Sequence, residues 1–578
     1  MTGPAAPKDP EKARPFFYIL KDKDIFGERQ KDGTGIQFIY ESDGRLINSA
    51  QITGNVTDKE ELRLLETVEG FGRLVHSIGV SVETDRPEET AEFVFQMYGK
   101  KDLYGGGTNL TTSLKCDGME HRIYLSDYRW TEDDHVPGQI KILFAAPERM
   151  GKVSVRLFLN DGYEAPPEEE DLVIDMHSEE YCGMISRSLL QLGNPYRIRK
   201  AIEKSKAGKE VTLAYIGGSI TQGAGAIPIH TECYAYKSFQ LFQNRFSTQN
   251  NVRFIKAGVG GTPSELGMIR FDRDVLREGE RPDIVVIEFA VNDEGDETKG
   301  VCYESLVRKV LKLPWKPAVV LLFSVFANDW NLQERLRPVG DLYDLPMVSI
   351  LNAVTPQFSL KCGEGRILSK NQFFYDIFHP NNTGHTIMAD CLQYLFERCD
   401  AAEPARVGTF VEGMTEEQIL SEKLSGPAVI GADFERIFLL DKKNRYVGAK
   451  IRTGSFTSTD IELQSVEMDG SLTQTPEFPY NWMYDGSRPQ MPGFEMEITC
   501  KSLFLIFKDS GEMDVGKANV FVNDVYCMTA DPHKNNWLHC NAVLLFWETE
   551  SRSHKVRIAV TEEDRNKKFT ILGFGYTI

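Results

Sequence analysis

The sequence predicts a three-part chain: a central α/β domain on a parallel sheet, flanked by two β-sandwich domains of jelly-roll type. Three observations carry this. The chain has 578 residues, roughly four times the ~150-residue prior for one domain, so two to four domains are expected. Between residues 190 and 402 almost continuously apolar strand-length runs alternate with helical patterns, as in a parallel sheet covered on both faces. Over 12–170 and 430–578 the apolar runs are short, alternate with polar residues and are punctuated by turn formers, as in antiparallel β-domains.

The elements follow in chain order. Runs at 36–40, 92–95, 140–144 and 153–158 have strand length, with Gly105-Gly106-Gly107 and Asn160-Asp161-Gly162 as turns. Ala165-Pro166-Pro167 followed by four acids reads as a stiff, solvated linker. Asn194-Pro195 offers an N-cap and a first-turn proline for a helix ended by Gly208. Strands are then expected at 211–216, 252–255, 284–289 and 318–323, with helices at 234–246, 263–276, 303–312 and 383–398. Residues 405–430 read as a helical connector. Phe494-Glu495-Met496-Glu497-Ile498 alternates cleanly, and further strands are expected at 503–507, 520–522, 543–547 and 556–560.

Composition excludes several functions. With 66 basic and 85 acidic side chains the net charge is −19, against a nucleic-acid binder or a sensor of anionic membrane. No apolar stretch approaches the ~18 residues of a membrane span, and the opening residues lack the apolar core of a secretory leader. The ten cysteines are scattered with no Cys-x-x-Cys spacing, so a zinc ribbon or disulfide framework is not expected, and a reducing, cytoplasmic setting is. No metal-ligand cluster and no cofactor motif is found. Gly218 to Gly223 has phosphate-loop spacing, but Ala224 and Gly225 stand where Lys and Ser/Thr are required. The Gly-x-Ser-x-Gly elbow is absent around Ser219.

In an open α/β sheet the site lies beyond the carboxyl ends of the strands. There the sequence places Gly217-Gly218-Ser219-Ile220-Thr221-Gln222-Gly223, Ala257-Gly258-Val259-Gly260-Gly261-Thr262, Ala290-Val291-Asn292-Asp293 and, before the last helix, Asp376-Ile377-Phe378-His379. These supply a hydroxyl, glycine amides, a carboxamide, an imidazole and a carboxylate, the parts needed for nucleophilic acyl transfer. Ser219 needs a base. His379 can take its proton, and Asp376, three residues earlier, can fix the imidazole. The backbone amides of Ser219 and Gly261 and the carboxamide of Asn292 are candidate donors to an oxyanion. Thr262-Pro263-Ser264-Glu265 has the form of a capping box that would anchor the glycine loop.

Over residues 210–400 these four blocks, in this order, resemble the SGNH hydrolases, also called GDSL esterases. Gly218 stands where the first block usually has Asp, Lys256 where many members have Asn, and Ala290 where the third block has Gly. The resemblance implies a flavodoxin-like sheet, Ser219, Asp376 and His379 as catalytic residues, and Gly261 as the oxyanion glycine. The Gly-Gly-Ser-Ile-Thr variant between β-domains looks most like bacterial carbohydrate esterases that remove O-acetyl groups from plant polysaccharides such as xylan or mannan. The expected partner is then an acetylated glycan. A lipid or small-molecule esterase of the same family, and a non-catalytic carbohydrate-binding protein, are the alternatives; the sequence gives no oligomeric state.

The remaining candidates have plainer readings beside the functional ones. Trp330, after a strand, is a candidate for lining the acyl or sugar site, or for the core. Trp130, Trp482 and Trp537 are candidates for stacking on sugars, or core. Asp293, Glu294, Asp296 and Glu297 read as a solvated acidic loop rather than a metal site. His385 reads as a satisfied residue at a helix start.

Overall fold

A computed structural model of the protein describes residues 12–40, 45–101, 105–168, 170–402 and 414–578. The opening segment read above for a leader, Glu169 of the acidic run and residues 403–413 of the connector lie outside them.

The N-terminal domain is two antiparallel sheets. One has four strands (Phe16–Phe26, Met150–Leu159, Val75–Thr84, His121–Tyr124), and the other is centred on Gly35–Tyr40, Asp134–Phe144 and Thr90–Gly99. Alternate residues of both, such as Val80, Phe93, Ile140 and Val155, are fully buried in one shared core. Three helices within 45–74 were not anticipated. They are amphipathic and short, and Val68, Phe71 and Leu74 enter the same core. The described residues of the Pro-Pro-acidic segment form no helix or strand but are not free: Lys21 pairs with Glu168, and Asn371 Nδ2 donates to Asp171 Oδ2 at 3.0 Å.

The central sheet has six strands in the order Leu189–Gln191, Met347–Ser349, Ala318–Phe323, Ile284–Glu288, Val211–Gly217 and Val252–Gly258. All pairings are parallel except that of the first. The chain leaves Val211–Gly217 to one side, reaching Val252–Gly258, then crosses to the other at Ile284–Glu288. That reversal opens a crevice at the carboxyl ends of these three strands. Every residue of Val211–Gly217 and Ile284–Glu288 is buried, which explains their almost continuously apolar runs. Two helices, Gln333–Tyr343 and Ile350–Phe358, escaped the sequence reading because each carries an internal proline, which ordinarily argues against a helix interior.

The C-terminal domain is an antiparallel sheet of eight strands dominated by Phe494–Asp509 and His539–Val560. Of the five runs expected here as separate strands, 520–522 lies in the strand Ala518–Val522 and the other four are halves of these two. Their register shifts between Cys500 and Ser502, where Glu548 to Ser551 are extruded from the partner strand. Such a bulge bends a strand and re-aims its side chains. Before it Phe494, Met496 and Ile498 face the domain core; after it Leu503, Leu505 and Phe507 do. Phe574 is the cross-strand partner of Leu505 yet stacks on Phe494 at 5.7 Å. Eleven extended residues span on the order of 35 Å, so the strand doubles back and the sheet closes over itself in two layers. The other face of the second half, Phe504 and Ile506, packs into a core shared with Ile269, Phe289 and Val301 of the central domain. The helical part of the connector is Glu416–Ser425, with a capping box between Thr415 and Gln418.

Candidate active site

Ser219 opens a four-residue helical turn, Ser219–Gln222, directly after the strand Val211–Gly217. The turn is fixed from below. Thr221 Oγ1 bonds Tyr234 Oη at 2.8 Å and donates to Glu288 Oε2 at 3.1 Å. Fully buried Lys256 donates to the Gln222 carbonyl at 2.7 Å, so this residue clamps the serine turn rather than only filling the loop. Buried Arg270 donates to the carbonyls of Ala257 and Gly217, both at 2.7 Å, joining the ends of the strands that feed the serine and the glycine loop. Burial pushes the Glu288 carboxyl up to about 7, opposed by its bond from Thr221 and by the neighbouring Ser324 hydroxyl and His379.

His379 sits in a loop closed by pairing of Phe374 with Pro380 and followed by the helix Asn382–Ala401, which Asn381 caps. His379 Nε2 lies 2.9 Å from Ser219 Oγ. Its Nδ1 lies 2.9 and 3.0 Å from the two oxygens of Asp376. Asp376 also accepts the amides of Phe378 and His379, at 2.8 and 2.9 Å, so local backbone fixes the carboxylate. The three side chains are partly exposed and line up at hydrogen-bond distance, as proton transfer from serine to histidine requires. His385 is separate. Its Nδ1 accepts from Tyr234 N and its Nε2 donates to the Ala224 carbonyl, both at 3.1 Å, and burial drives it down to about 3.

Asn292 follows the strand Ile284–Glu288 and lies over Gly218. A Cβ at Gly218 would fall 2.2 Å from Asn292 Oδ1 and 2.5 Å from its Nδ2. The Gly-Gly-Ser variant is thereby explained: a side chain at 218 would displace the carboxamide. Next door, Asp293 Oδ1 accepts the Ser264 amide at 2.7 Å, tying the asparagine loop to the glycine loop. Gly261, at φ +70°, occupies the left-handed region that favours glycine. Its amide finds no partner among the described residues.

Two expectations are corrected. Thr262 and Glu265 form no capping box: the Thr262 hydroxyl donates to Val259 O at 2.8 Å, and Glu265 accepts the Thr298 amide at 2.7 Å. Nor is the acidic loop wholly solvated. Glu294 and Glu297 are exposed, but Asp293 and Asp296 are buried. Arg335 donates to Asp296 at 2.9 Å, while burial raises Asp293 to about 8. Of the tryptophans, Trp130 and Trp482 are core residues. Trp330 is half-buried and stacks on Phe326, which meets Phe378 beside His379. Trp537 is 42% exposed, and its ring carbons lie 2.7 and 3.0 Å from where a Gly261 Cβ would be. The contacts of Trp537, Gln464 and His539 with the glycine loop had no local sequence signal, because they come from the C-terminal domain, with separations of 204 residues for Gln464 and 278 for His539.

Residues 215–387 match the model of the GDSL-like lipase/acylhydrolase family. The central domain is a GDSL-like acylhydrolase domain. The GDSL domain thus holds all four blocks recognised in the sequence. Two similar solved structures are of a two-domain esterase (CEX) active on acetylated mannans, one co-crystallised with mannopentaose. They are 24% and 23% identical, cover 68% of this chain and 98% of their own, and give TM-scores of 0.53 and 0.54. The likeness is one of fold, over the covered 68% of this chain. No curated protein sequence matches.

Proposed function

We propose that the protein is a serine esterase that removes O-acetyl groups from a polysaccharide or oligosaccharide through an acetyl-enzyme. The observation that carries the reading is the Ser219–His379–Asp376 alignment beside an unpartnered Gly261 amide and Asn292. Ser219 Oγ would attack the acetyl carbon as His379 Nε2 takes its proton, with the carbonyl oxygen received by the amides of Ser219 and Gly261 and by Asn292. His379 would then return the proton to the leaving sugar hydroxyl. Water, activated by the same imidazole, would release acetate. Preference for an acetylated glycan is supported by the similarity to an esterase active on acetylated mannans, and by aromatic side chains near the crevice, Trp330 and Trp537, whose flat faces suit sugar rings. Turnover of an aryl acetate by wild type and by Ser219→Ala tests the chemistry. Acetate release from acetylated mannan and xylan oligosaccharides tests the substrate class. Hydrolysis of long-chain acyl esters in preference to acetylated glycans would favour a lipid or small-molecule esterase instead.

A further inference from the structure

We infer that Gln464 and His539 of the C-terminal domain are positioning residues for the oxyanion site, so that the GDSL domain is catalytically complete only with that domain docked on it. The inference rests on reading Gly261 as an oxyanion donor. The peptide unit that bears the Gly261 N–H carries the Gly260 carbonyl at its other end. The two point in opposite directions in a trans peptide, so whatever fixes the carbonyl aims the amide. Gln464 Nε2 donates to that carbonyl at 2.8 Å. Gln464 is itself fixed, because its Oε1 accepts the Cys540 amide at 2.9 Å.

The neighbouring groups are tied as well. The Gly260 amide donates to Gln222 Oε1 at 3.1 Å, and Gln222 Nε2 donates to Glu467 of the C-terminal domain at 2.9 Å. The Gly261 carbonyl accepts from His539 Nε2 at 3.1 Å. A carbonyl only accepts, so Nε2 carries a proton. His539 Nδ1 faces Asp509 Oδ2 and Asn535 Nδ2, each at 3.4 Å, and either contact leaves the Nε2 bond in place. Asp509 and His539 are cross-strand partners, and both are buried. Three of the four polar backbone groups of Gly260 and Gly261 are thus engaged, two of them directly by C-terminal side chains, and the Gly261 amide alone is left for a ligand. A glycine pair is the most mobile backbone available, and an oxyanion site is effective only when its donors are held before reaction. A donor on the carbonyl also polarises the amide of the same unit.

The test uses the full chain and an aryl acetate. Gln464→Met removes the donor without adding charge. It should lower kcat by roughly 10- to 100-fold with KM within about twofold, and weaken inhibition by methylboronic acid, which forms a tetrahedral adduct on serine, by the same factor. His539→Ala should lower kcat by about tenfold, and His539→Gln, which keeps a donor, should recover most of that loss. Thermal melting establishes that each variant is folded. Folded Gln464→Met with wild-type kcat, or with a change confined to KM, overturns the inference. Should Gln464→Met not fold, the His539 pair decides: equal kcat in its Ala and Gln variants overturns it. Ser219→Ala, run alongside, keeps the two readings apart. If that variant is inert while the Gln464 and His539 variants match wild type, only this inference fails. If it still turns over, the esterase reading fails.

Discussion

At the scale of single residues, Ser219→Ala is expected to lower aryl-acetate turnover by on the order of 10⁴- to 10⁶-fold, since its partners act as a unit. Steady-state kinetics on protein shown to be folded checks this, and near-wild-type rates contradict the nucleophile assignment. Asn292→Ala should lower kcat by about 10²- to 10³-fold with little change in KM. Gly218→Ala should reproduce much of that loss, because its Cβ would lie 2.2 Å from Asn292 Oδ1. The Gly218→Ala/Asn292→Ala double variant should then be no worse than Asn292→Ala alone. Full additivity would mean that Gly218 does not act through Asn292. Ser219, His379, Asp376, Asn292 and Gly261 could be picked out in the sequence as candidates because each lies within a short block, at a strand end or, for Asp376 and His379, just before the last helix. The reason for Gly218 could not, because the atoms it must avoid belong to residue 292.

At the scale of elements, the serine turn, the glycine loop and the asparagine loop are fastened to one another by buried polar groups. Arg270 joins the ends of two strands, and Asp293 joins two loops. Asp293 provides a pH test. Its carboxyl is raised from 3.8 to about 8 by burial, so between these values the folded chain holds a proton that the unfolded chain has released. The folded state then binds more protons, and this residue's contribution to stability declines as pH rises from about 4 to about 8. Asp293→Asn keeps an oxygen acceptor for Ser264 and cannot ionise. Its stability relative to wild type should therefore grow across that range, by on the order of several kcal/mol at most. Denaturant midpoints at pH 4.5, 6 and 8 check this, and parallel curves would contradict it. None of this was visible in the sequence, where the acidic loop looks solvated: the partners of Asp293 and Asp296, Ser264 and Arg335, lie 29 and 39 residues away. The strands Val211–Gly217 and Ile284–Glu288 were legible because burial on both faces leaves an almost continuously apolar run. The bent strands Phe494–Asp509 and His539–Val560 read as twice their number because their bulges look like turns.

At the scale of the whole molecule, both β-domains reach segments that carry the site. Lys23 of the N-terminal domain is buried and donates to the Phe374 carbonyl, two residues before Asp376. A hairpin of the C-terminal domain is tied to the edge strand of the central sheet: the Lys256 amide donates to Asp469 Oδ1 at 2.9 Å, and the Asp469 amide donates to the Lys256 carbonyl at 3.3 Å. The sequence announced the flanking domains by their alternation, but gave no sign that they touch the loops of the site, since such contacts obey no local period. Recognition of a polymeric substrate belongs at this scale too. Trp537 is exposed beside Gly261, so Trp537→Ala should reduce kcat/KM more on acetylated oligosaccharides than on an aryl acetate, which needs few remote contacts. Equal losses on both would assign Trp537 to the loop rather than to the glycan. The central claim, that Ser219 deacetylates a glycan, is tested most directly by mass spectrometry of acetylated mannan and xylan oligosaccharides incubated with wild type and with Ser219→Ala. The account predicts stepwise loss of acetyl groups, with the sugar chain intact, for wild type on at least one of them, and unchanged masses for Ser219→Ala. Oligosaccharides that keep every acetyl group with an enzyme active on an aryl acetate, or that lose them equally with Ser219→Ala, would contradict it.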